Sequence, residues 1–327
     1  MISIMKLLQV YLLIFLLSLF GCGEEESVIP AGDRIDQPKS SNTNSLSELD
    51  GNVSFPQDGG ETRRTITGSN SRTQVASPED RIDQIQSVLR RANSQYLGQG
   101  KFHQENGQII AAEFPNCGLK DLSPLRGLQL QALDLSGNPV RELRHLRGMP
   151  LVRLYLEFTL VESLVELADA QLVELRLNGS PVQKLDGLEG QPLENLYAVG
   201  TQINDVKALS TSNLNQLWLT ESPVSDLSPL SGLPLVSLTI HRTLVADLDF
   251  VRKLPLIQRL HIGETLISDL TPLRGLNLTR LVFTPDRIDK GIAVVKGLSN
   301  LKEIGTKFDD QGKDLMPPDA FWAQFQP

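Results

Sequence analysis

The chain has 327 residues, a formal net charge of −8 and an isoelectric point near 5.2. This acidic balance argues against nucleic acid as a partner, because phosphate contacts need a surplus of Lys and Arg. The length could hold two ordinary domains, but internal repeats fill much of it, and a repeat array does not follow the usual length rule.

Residues 1–21 have the pattern of a targeting segment, in which Lys6 precedes an apolar run from Leu7 to Phe20. The run is shorter than the ~20 residues that a bilayer span needs, which favours a signal peptide. Its end, Leu19-Phe20-Gly21-Cys22, resembles the lipobox of bacterial lipoproteins. The resemblance implies that Cys22 is lipidated and becomes the mature N-terminus, and the absence of aspartate after it implies the outer membrane. An uncleaved helix and ordinary signal cleavage are the alternatives.

Residues 22–76 are predicted to be a disordered tether, since they are rich in Ser, Asn, Thr, Gly, Asp and Glu without a sustained apolar period. A flexible segment of this length has a root-mean-square reach of ~40 Å, enough to hold a folded module clear of a membrane. With Cys22 lipidated, Cys117 is the only other thiol, so no intramolecular disulfide is expected.

Residues 77–108 are predicted to cap the start of a folded module. Ser77-Pro78-Glu79-Asp80 resembles a capping box and marks a helix start. The apolar face of this helix is predicted to hold Ile82, Ile85, Leu89 and Ala92. Asn106-Gly107 then separates two strand-like runs, which indicates a hairpin whose first strand covers a sheet edge.

Residues 109–284 repeat with a period of 21. The aliphatic residues that mark the period are Ile109, Leu130, Leu151, Leu172, Leu193, Leu214, Leu235 and, after a one-residue insertion near Leu256, Ile257 and Leu278. A period in the low twenties with an LxxLxL core predicts leucine-rich repeats, an α/β solenoid in which each unit supplies one strand of a curved parallel sheet. One repeat cannot bury its apolar face alone, so the array is expected to fold as a unit.

The segments that return from one strand to the next are predicted to contain single helical turns on the convex side. Three of them begin with Ser123-Pro124, Ser228-Pro229 or Thr271-Pro272, and each has a glycine three residues after the proline. A hydroxyl N-cap, proline at the first helical position and a closing glycine predict such a turn.

Residues 285–327 are predicted to form a C-terminal cap. Asp286 to Lys296 has a helical pattern, and Leu298 to Ile304 has the pattern of a last, degenerate strand. In the closing segment, Trp322 and Phe325 lie three residues apart on a predicted helix and are expected to seal the open end of the core.

Residues 80–327 resemble the leucine-rich repeat modules of planctomycete-type bacterial proteins and, more distantly, the internalins. The resemblance rests on the cap Leu89-Arg90-Arg91-Ala92-Asn93, on the Asp-Leu-Ser-Pro-Leu unit at Asp121 with its copies at Asp226 and Asp269, and on the closing Pro-Asp-Ala-Phe-Trp. It implies a fold and no particular activity. Relatives often join the module to a Ser/Thr kinase, and the sequence contains no kinase pattern.

The resemblance also implies an inward polar ladder, whose side chains hydrogen-bond the backbone of the neighbouring coil. One residue per repeat falls at this position: Cys117, Asn138, Thr159, Ser180, Thr201, Ser222, Thr243 and Thr265. Cys117 is therefore interpreted as a ladder residue and not as a nucleophile.

A search for chemistry finds no HExxH, GxSxG, P-loop, CxxC or GxGxxG motif, so neither catalysis nor a cofactor is expected. His241 and His261 are predicted to lie in adjacent repeats on solvent-facing strand positions. Two histidines without a third ligand are a weak case for zinc, and no metal site is predicted.

The concave face of the sheet carries the candidate binding residues. In each LxL motif the residue between the two inward leucines points away from the core. These residues form a column of Asp134, Tyr155, Arg176, Tyr197, Trp218, Thr239, His261 and Val282. A flanking column contributes Arg153 and Arg259. Tyr, Trp and Arg are enriched in binding hot spots, although strand propensity alone also favours aromatics at such positions.

The predicted function is a lipid-anchored leucine-rich repeat protein of the bacterial cell envelope that binds a protein or peptide. The predicted contact residues are Tyr155, Arg176, Tyr197, Trp218, Arg153, Arg259 and His261. Two alternatives stay open: a structural or self-associating envelope protein, and a module that binds cell-wall carbohydrate.

Overall fold

The computed structural model describes residues 78–307 and 314–325. The predicted signal peptide, the lipidation site Cys22, the tether and the expected helix cap Ser77 lie outside the described residues.

The described chain begins with helix α1 (Pro78–Ala92), and its strands follow in sequence order within one eleven-stranded sheet. The strands are β1 (Lys101–Glu105), β2 (Gln108–Glu113), β3 (Ala132–Asp134), β4 (Arg153–Tyr155), β5 (Glu174–Arg176), β6 (Asn195–Tyr197), β7 (Gln216–Trp218), β8 (Ser237–Thr239), β9 (Arg259–His261), β10 (Arg280–Val282) and β11 (Glu303–Gly305). Helix α2 (Ile292–Lys296) precedes β11, and α3 (Pro318–Gln324) follows it. The sheet confirms the predicted leucine-rich repeat solenoid.

The middle residue of every repeat strand points into the core because side chains alternate along a strand. These residues are at most 1% exposed: Leu133, Leu154, Leu175, Leu196, Leu217, Leu238, Leu260, Leu281 and Ile304. Each lies opposite the next in parallel register. Their spacing is 21 residues except for 22 between Leu238 and Leu260 and 23 between Leu281 and Ile304. Leu256, near which the insertion was expected, is 51% exposed.

Most returns contain a short 3₁₀ turn, as at Ser123–Leu125, Ser228–Leu230 and Thr271–Leu273. The predicted hydroxyl caps are absent from these three turns. The backbone N–H of the Ser or Thr instead donates to the carboxylate two residues earlier, Asp121, Asp226 or Asp269, at 2.7–2.8 Å. A carboxylate is the stronger acceptor for an N–H group, and it makes a local Asx turn. The expected closing glycines are confirmed by their positive φ angles of 77–90°.

The polar ladder is buried, with every member at most 3% exposed. Its hydrogen bonds differ from the prediction. The hydroxyls of Thr159, Thr201 and Ser222 donate to the carbonyl three residues earlier in their own coil, at 2.7–3.0 Å. Only the longer side chain of Asn138 spans two coils, accepting from Leu119 N and donating to Phe114 O. A hydroxyl is too short to reach the next coil, so the ladder mainly satisfies carbonyls within each turn.

The two ends of the array are closed as predicted in outline. At the start, β1 and β2 form an antiparallel hairpin, and β2 pairs in parallel with β3. Leu89 of α1 is fully buried, but Ala92 is exposed, so the predicted apolar face of α1 is one residue too long. Asn93 attaches this helix to the first repeat, because its Oδ1 accepts from the N–H groups of Lys120 and Asp121 at 2.7 and 2.8 Å.

At the C-terminal end, Phe321 is the aromatic residue that fills the open core, with no exposed surface. Its ring lies 5.9 Å from that of Phe283. The expected plug residues Trp322 and Phe325 are only partly buried and pack against Phe321, with ring centroids at 4.9 and 4.7 Å. The helical period of α3 places Phe321, and not its two neighbours, over the core.

Candidate binding surface

The parallel register brings the predicted concave column together. Tyr155 lies opposite Arg176, Arg176 opposite Tyr197, and Tyr197 opposite Trp218 in successive strands. Neighbouring strands are about 4.8 Å apart, so side chains at this position are in direct contact. We refer to Tyr155, Arg176, Tyr197 and Trp218 as the aromatic strip.

Arg176 is held between two aromatic rings of the strip. Its guanidinium carbon lies 4.5 Å from the ring centroid of Tyr155 and 5.4 Å from that of Tyr197. Cation–π contacts of this kind are worth about 0.5–2 kcal/mol each, depending on desolvation. The ring of Tyr197 then meets that of Trp218 edge to face, at 5.7 Å and 66°. The four side chains therefore form one continuous, mutually packed surface.

The positive charge of Arg176 is neutralised from within the same strand. Its Nε and Nη2 both lie 2.7 Å from Oε1 of Glu174. Burial, and next the charge of Glu174, raise the pKa of Tyr155 to about 12. The same two causes raise the pKa of Tyr197, whose hydroxyl donates to Oε1 of Gln216 at 3.1 Å. Both phenols are neutral at physiological pH and can make hydrogen bonds without adding charge.

The strip is less exposed than the sequence suggests. Trp218 is only 7% exposed, and Tyr155, Arg176 and Tyr197 are partly buried. The prediction treated each side chain as standing freely on the sheet, but large side chains in adjacent strands cover one another. The correction leaves a preorganised surface whose side chains have already lost much of their conformational freedom.

The other predicted contact residues lie on either side of the strip. Arg153 begins β4, the strand that ends with Tyr155. Arg259 and His261 are the first and last residues of β9, and only β8 separates them from Trp218. The two residues of β8 that face this side, Ser237 and Thr239, are small and buried. The seven predicted residues thus form two groups with a strand of small side chains between them.

The histidines are not the solvent-facing residues that the sequence indicated. His241 follows β8 and is 6% exposed, and its Nε2 lies 3.6 Å from Oε1 of Glu264. Both ring nitrogens of His261 are buried, and burial, followed by the charges of Arg280 and Arg259, lowers the pKa of His261 to about 3. His261 is therefore uncharged at neutral pH. In the described parts of the chain, no group of three His, Cys, Asp or Glu residues could hold a metal ion.

A second feature, missed from the sequence, follows each strand. The residue before each ladder position from Cys117 to Thr265 has a positive φ, between 53° and 70°. The column is Asn116, Gly137, Phe158, Gly179, Gly200, Glu221, Arg242 and Glu264. In its C-terminal half, Arg242 bridges Glu221 and Glu264 with N–O distances of 2.9 Å. The three glycines at 21- and 42-residue spacing were a usable signal for this left-handed position.

No helix within residues 78–307 or 314–325 has the length and apolar character needed to cross a membrane. No family model and no curated protein matches the sequence. Solved structures do match it. Internalin C2 from Listeria monocytogenes is 22% identical, with 61% of this chain and 92% of that chain covered and a TM-score of 0.52.

Two further structures match with lower TM-scores. InlJ from Listeria monocytogenes is 18% identical over 60% of this chain and 48% of that chain, with a TM-score of 0.47. The plant peptide hormone receptor RGFR1, solved in complex with RGF2, is 14% identical over 57% of this chain and 41% of that chain, with a TM-score of 0.40. At such identities the similarity concerns the fold. With its eleven-stranded sheet and 21-residue units, the chain has a leucine-rich repeat solenoid fold that is similar to the structure of internalin C2.

Proposed function

We propose that this chain binds a protein or peptide partner along the aromatic strip and acts without catalysis, displayed in the bacterial cell envelope on a lipid at Cys22. The observation that carries the proposal is the packing of Arg176 between Tyr155 and Tyr197, continued by Trp218. Trp, Tyr and Arg dominate the energetics of protein interfaces, and a surface ordered before binding loses less entropy when a partner arrives.

The geometry favours a polypeptide over a carbohydrate ligand. A sugar ring stacks on a flat, accessible aromatic face, whereas Tyr197 and Trp218 meet edge to face at 66° and Trp218 is mostly buried. The strip instead offers ring edges, two neutral phenols and a fixed guanidinium. These groups suit the mixed apolar and hydrogen-bonding surface of a protein.

The test is capture of a partner from envelope extract by the full chain, followed by a binding titration with the identified protein. We expect a Tyr197→Ala/Trp218→Ala variant to lose at least about tenfold in affinity, since hot-spot truncations cost about 2 kcal/mol or more. Phe158→Ala is the matched control, because Phe158 is 62% exposed and lies outside the strip. Circular dichroism should show that all three chains fold alike.

An undiminished affinity in the double variant would place the interaction elsewhere. Concentration-dependent oligomers that are insensitive to the same substitutions would support the structural, self-associating alternative. Saturable glycan binding that requires Trp218 would support the carbohydrate alternative.

The lipid anchor has its own test, metabolic labelling of the expressed chain with palmitate. We expect Cys22→Ala to abolish labelling and Cys117→Ser to retain it, because Cys117 is 2% exposed inside the core. Label retained by Cys22→Ala would end the lipoprotein assignment and leave the binding proposal untouched.

A further inference from the structure

Two arginines lie side by side on the C-terminal part of the concave face. Arg259 of β9 is the direct parallel partner of Arg280 of β10, at the spacing of neighbouring strands. Arg280 is neutralised, because its Nε donates to Oε2 of Glu303 at 2.6 Å. Within residues 78–307 and 314–325, the side chain of Arg259 has no ion pair and no hydrogen bond.

An unpaired guanidinium in this position opposes folding. Arg259 is partly buried, and like charges directly opposite each other in a sheet are destabilising. In agreement, burial and then the charge of Arg280 lower the pKa of Arg259. No core contact or cap in the fold depends on this charge. The charge of Arg259 destabilises the fold and lies on the face that carries the aromatic strip. This indicates that the guanidinium pairs with a group of a bound ligand.

One strand, β8, separates Arg259 from Trp218. The residues of β8 that face this side, Ser237 and Thr239, lie between the two in the sheet and are 7% and 1% exposed. His261 at the end of β9 is uncharged because of its lowered pKa, so it adds no second positive charge. The concave face thus has an aromatic residue, Trp218, and a cationic residue, Arg259, on the two strands that flank β8.

We propose that Arg259, with Arg280 beside it, binds the carboxylate of an Asp or Glu side chain of the polypeptide partner that the aromatic strip binds. This inference rests on the proposed function and specifies the partner's chemistry. The planar guanidinium of an arginine can donate two parallel hydrogen bonds to the oxygens of one carboxylate. Glu303 already cancels one of the two positive charges, so a single negative charge balances the site, and a phosphate dianion would exceed it.

The closing experiment uses the full chain and two labelled peptides, one of alternating glutamate and tyrosine and one of alternating glutamine and tyrosine, in fluorescence anisotropy titrations. We expect tighter binding of the glutamate peptide, and a loss of about tenfold or more in Arg259→Gln, as for a charge-assisted hydrogen bond. Arg274→Gln, an exposed arginine on a return turn, is the matched control and should stay within about twofold.

Three results would overturn the inference: equal affinity for the two peptides, an equal loss for both peptides in Arg259→Gln, or no binding of either peptide to the parent chain. Stronger competition by inorganic phosphate than by acetate would also overturn it, in favour of a phosphate ligand. Trp218→Ala separates the two proposals. If both peptides need Trp218 but neither needs Arg259, the acidic subsite fails and the aromatic strip stands.

Discussion

The two parts of the concave face each carry an arginine, and the two arginines differ in the partners of their side chains. On β5, Arg176 is enclosed by two tyrosine rings and paired with Glu174. On β9, Arg259 faces another arginine and, within the described part of the chain, no carboxylate. The backbone and the leucine core beneath the two sites are the same. The comparison shows that in a repeat solenoid the outward side chains can vary independently of the core. An outward arginine can have its partners within the sheet or lack them, while the leucines beneath it stay the same.

The largest expected effect tests whether the core is the same under both sites. Leu175 lies under Arg176 on β5 and Leu260 lies beside Arg259 on β9, and neither has exposed surface. We expect Leu175→Ala and Leu260→Ala each to lower the free energy of unfolding by about 2–5 kcal/mol, through lost burial and the cavity left behind. Denaturant unfolding measures both. If the losses of the two variants differ by more than the width of this range, the core does not support the two sites equally.

The next effect is a pH dependence confined to the C-terminal part. The pKa of His261 is lowered to about 3 in the folded chain, so on acidification the unfolded chain binds this proton first. The contribution of His261 to the free energy of unfolding is therefore fully present above pH ~6.5. It falls as the pH drops towards 3, by about 2 kcal/mol over the first two pH units. Unfolding followed at pH 7 and pH 4.5 should show a smaller loss in His261→Gln than in the parent chain. An identical loss would mean that His261 is accessible to protons.

A smaller effect tests the self-sufficient site. Arg176→Gln removes the contacts with both tyrosine rings and leaves Glu174 without its partner. We expect the free energy of unfolding to fall by about 1 kcal/mol. Thermal unfolding measures it, with the exposed Arg126→Gln as the control that should be neutral. A neutral Arg176→Gln would mean that these contacts add nothing to stability.

The smallest effect has the opposite sign. Arg259→Gln removes the repulsion from Arg280 and breaks no ion pair or side-chain hydrogen bond within the described residues, so we expect a gain of up to about 0.5 kcal/mol. The gain should shrink at high salt, because the repulsion is screened. Thermal unfolding at low and high ionic strength measures it. A loss of stability on this substitution would show that Arg259 supports the fold and would remove the contrast between the two sites.

Some local details could not be predicted because they depend on side-chain reach. The serine and threonine hydroxyls at the turn starts suggested N-caps, yet the acceptors are Asp121, Asp226 and Asp269. The ladder hydroxyls bond within their own coil, because they are too short for the next one. The closing aromatic is Phe321 and not Trp322, since one residue on a helix turns the side chain by about 100°.

The sequence by itself determined the repeat, the parallel register and the two outward columns. A period of 21 through most of the array and the strict alternation of side chains along a strand leave one arrangement that buries the leucines. The tertiary structure decided what the column residues do. Arg176 lies between two tyrosine rings, Trp218 is largely covered and, among the described residues, Arg259 faces no carboxylate. These three features depend on distances between side chains in different repeats. Those distances follow from how neighbouring coils pack, which no single repeat encodes.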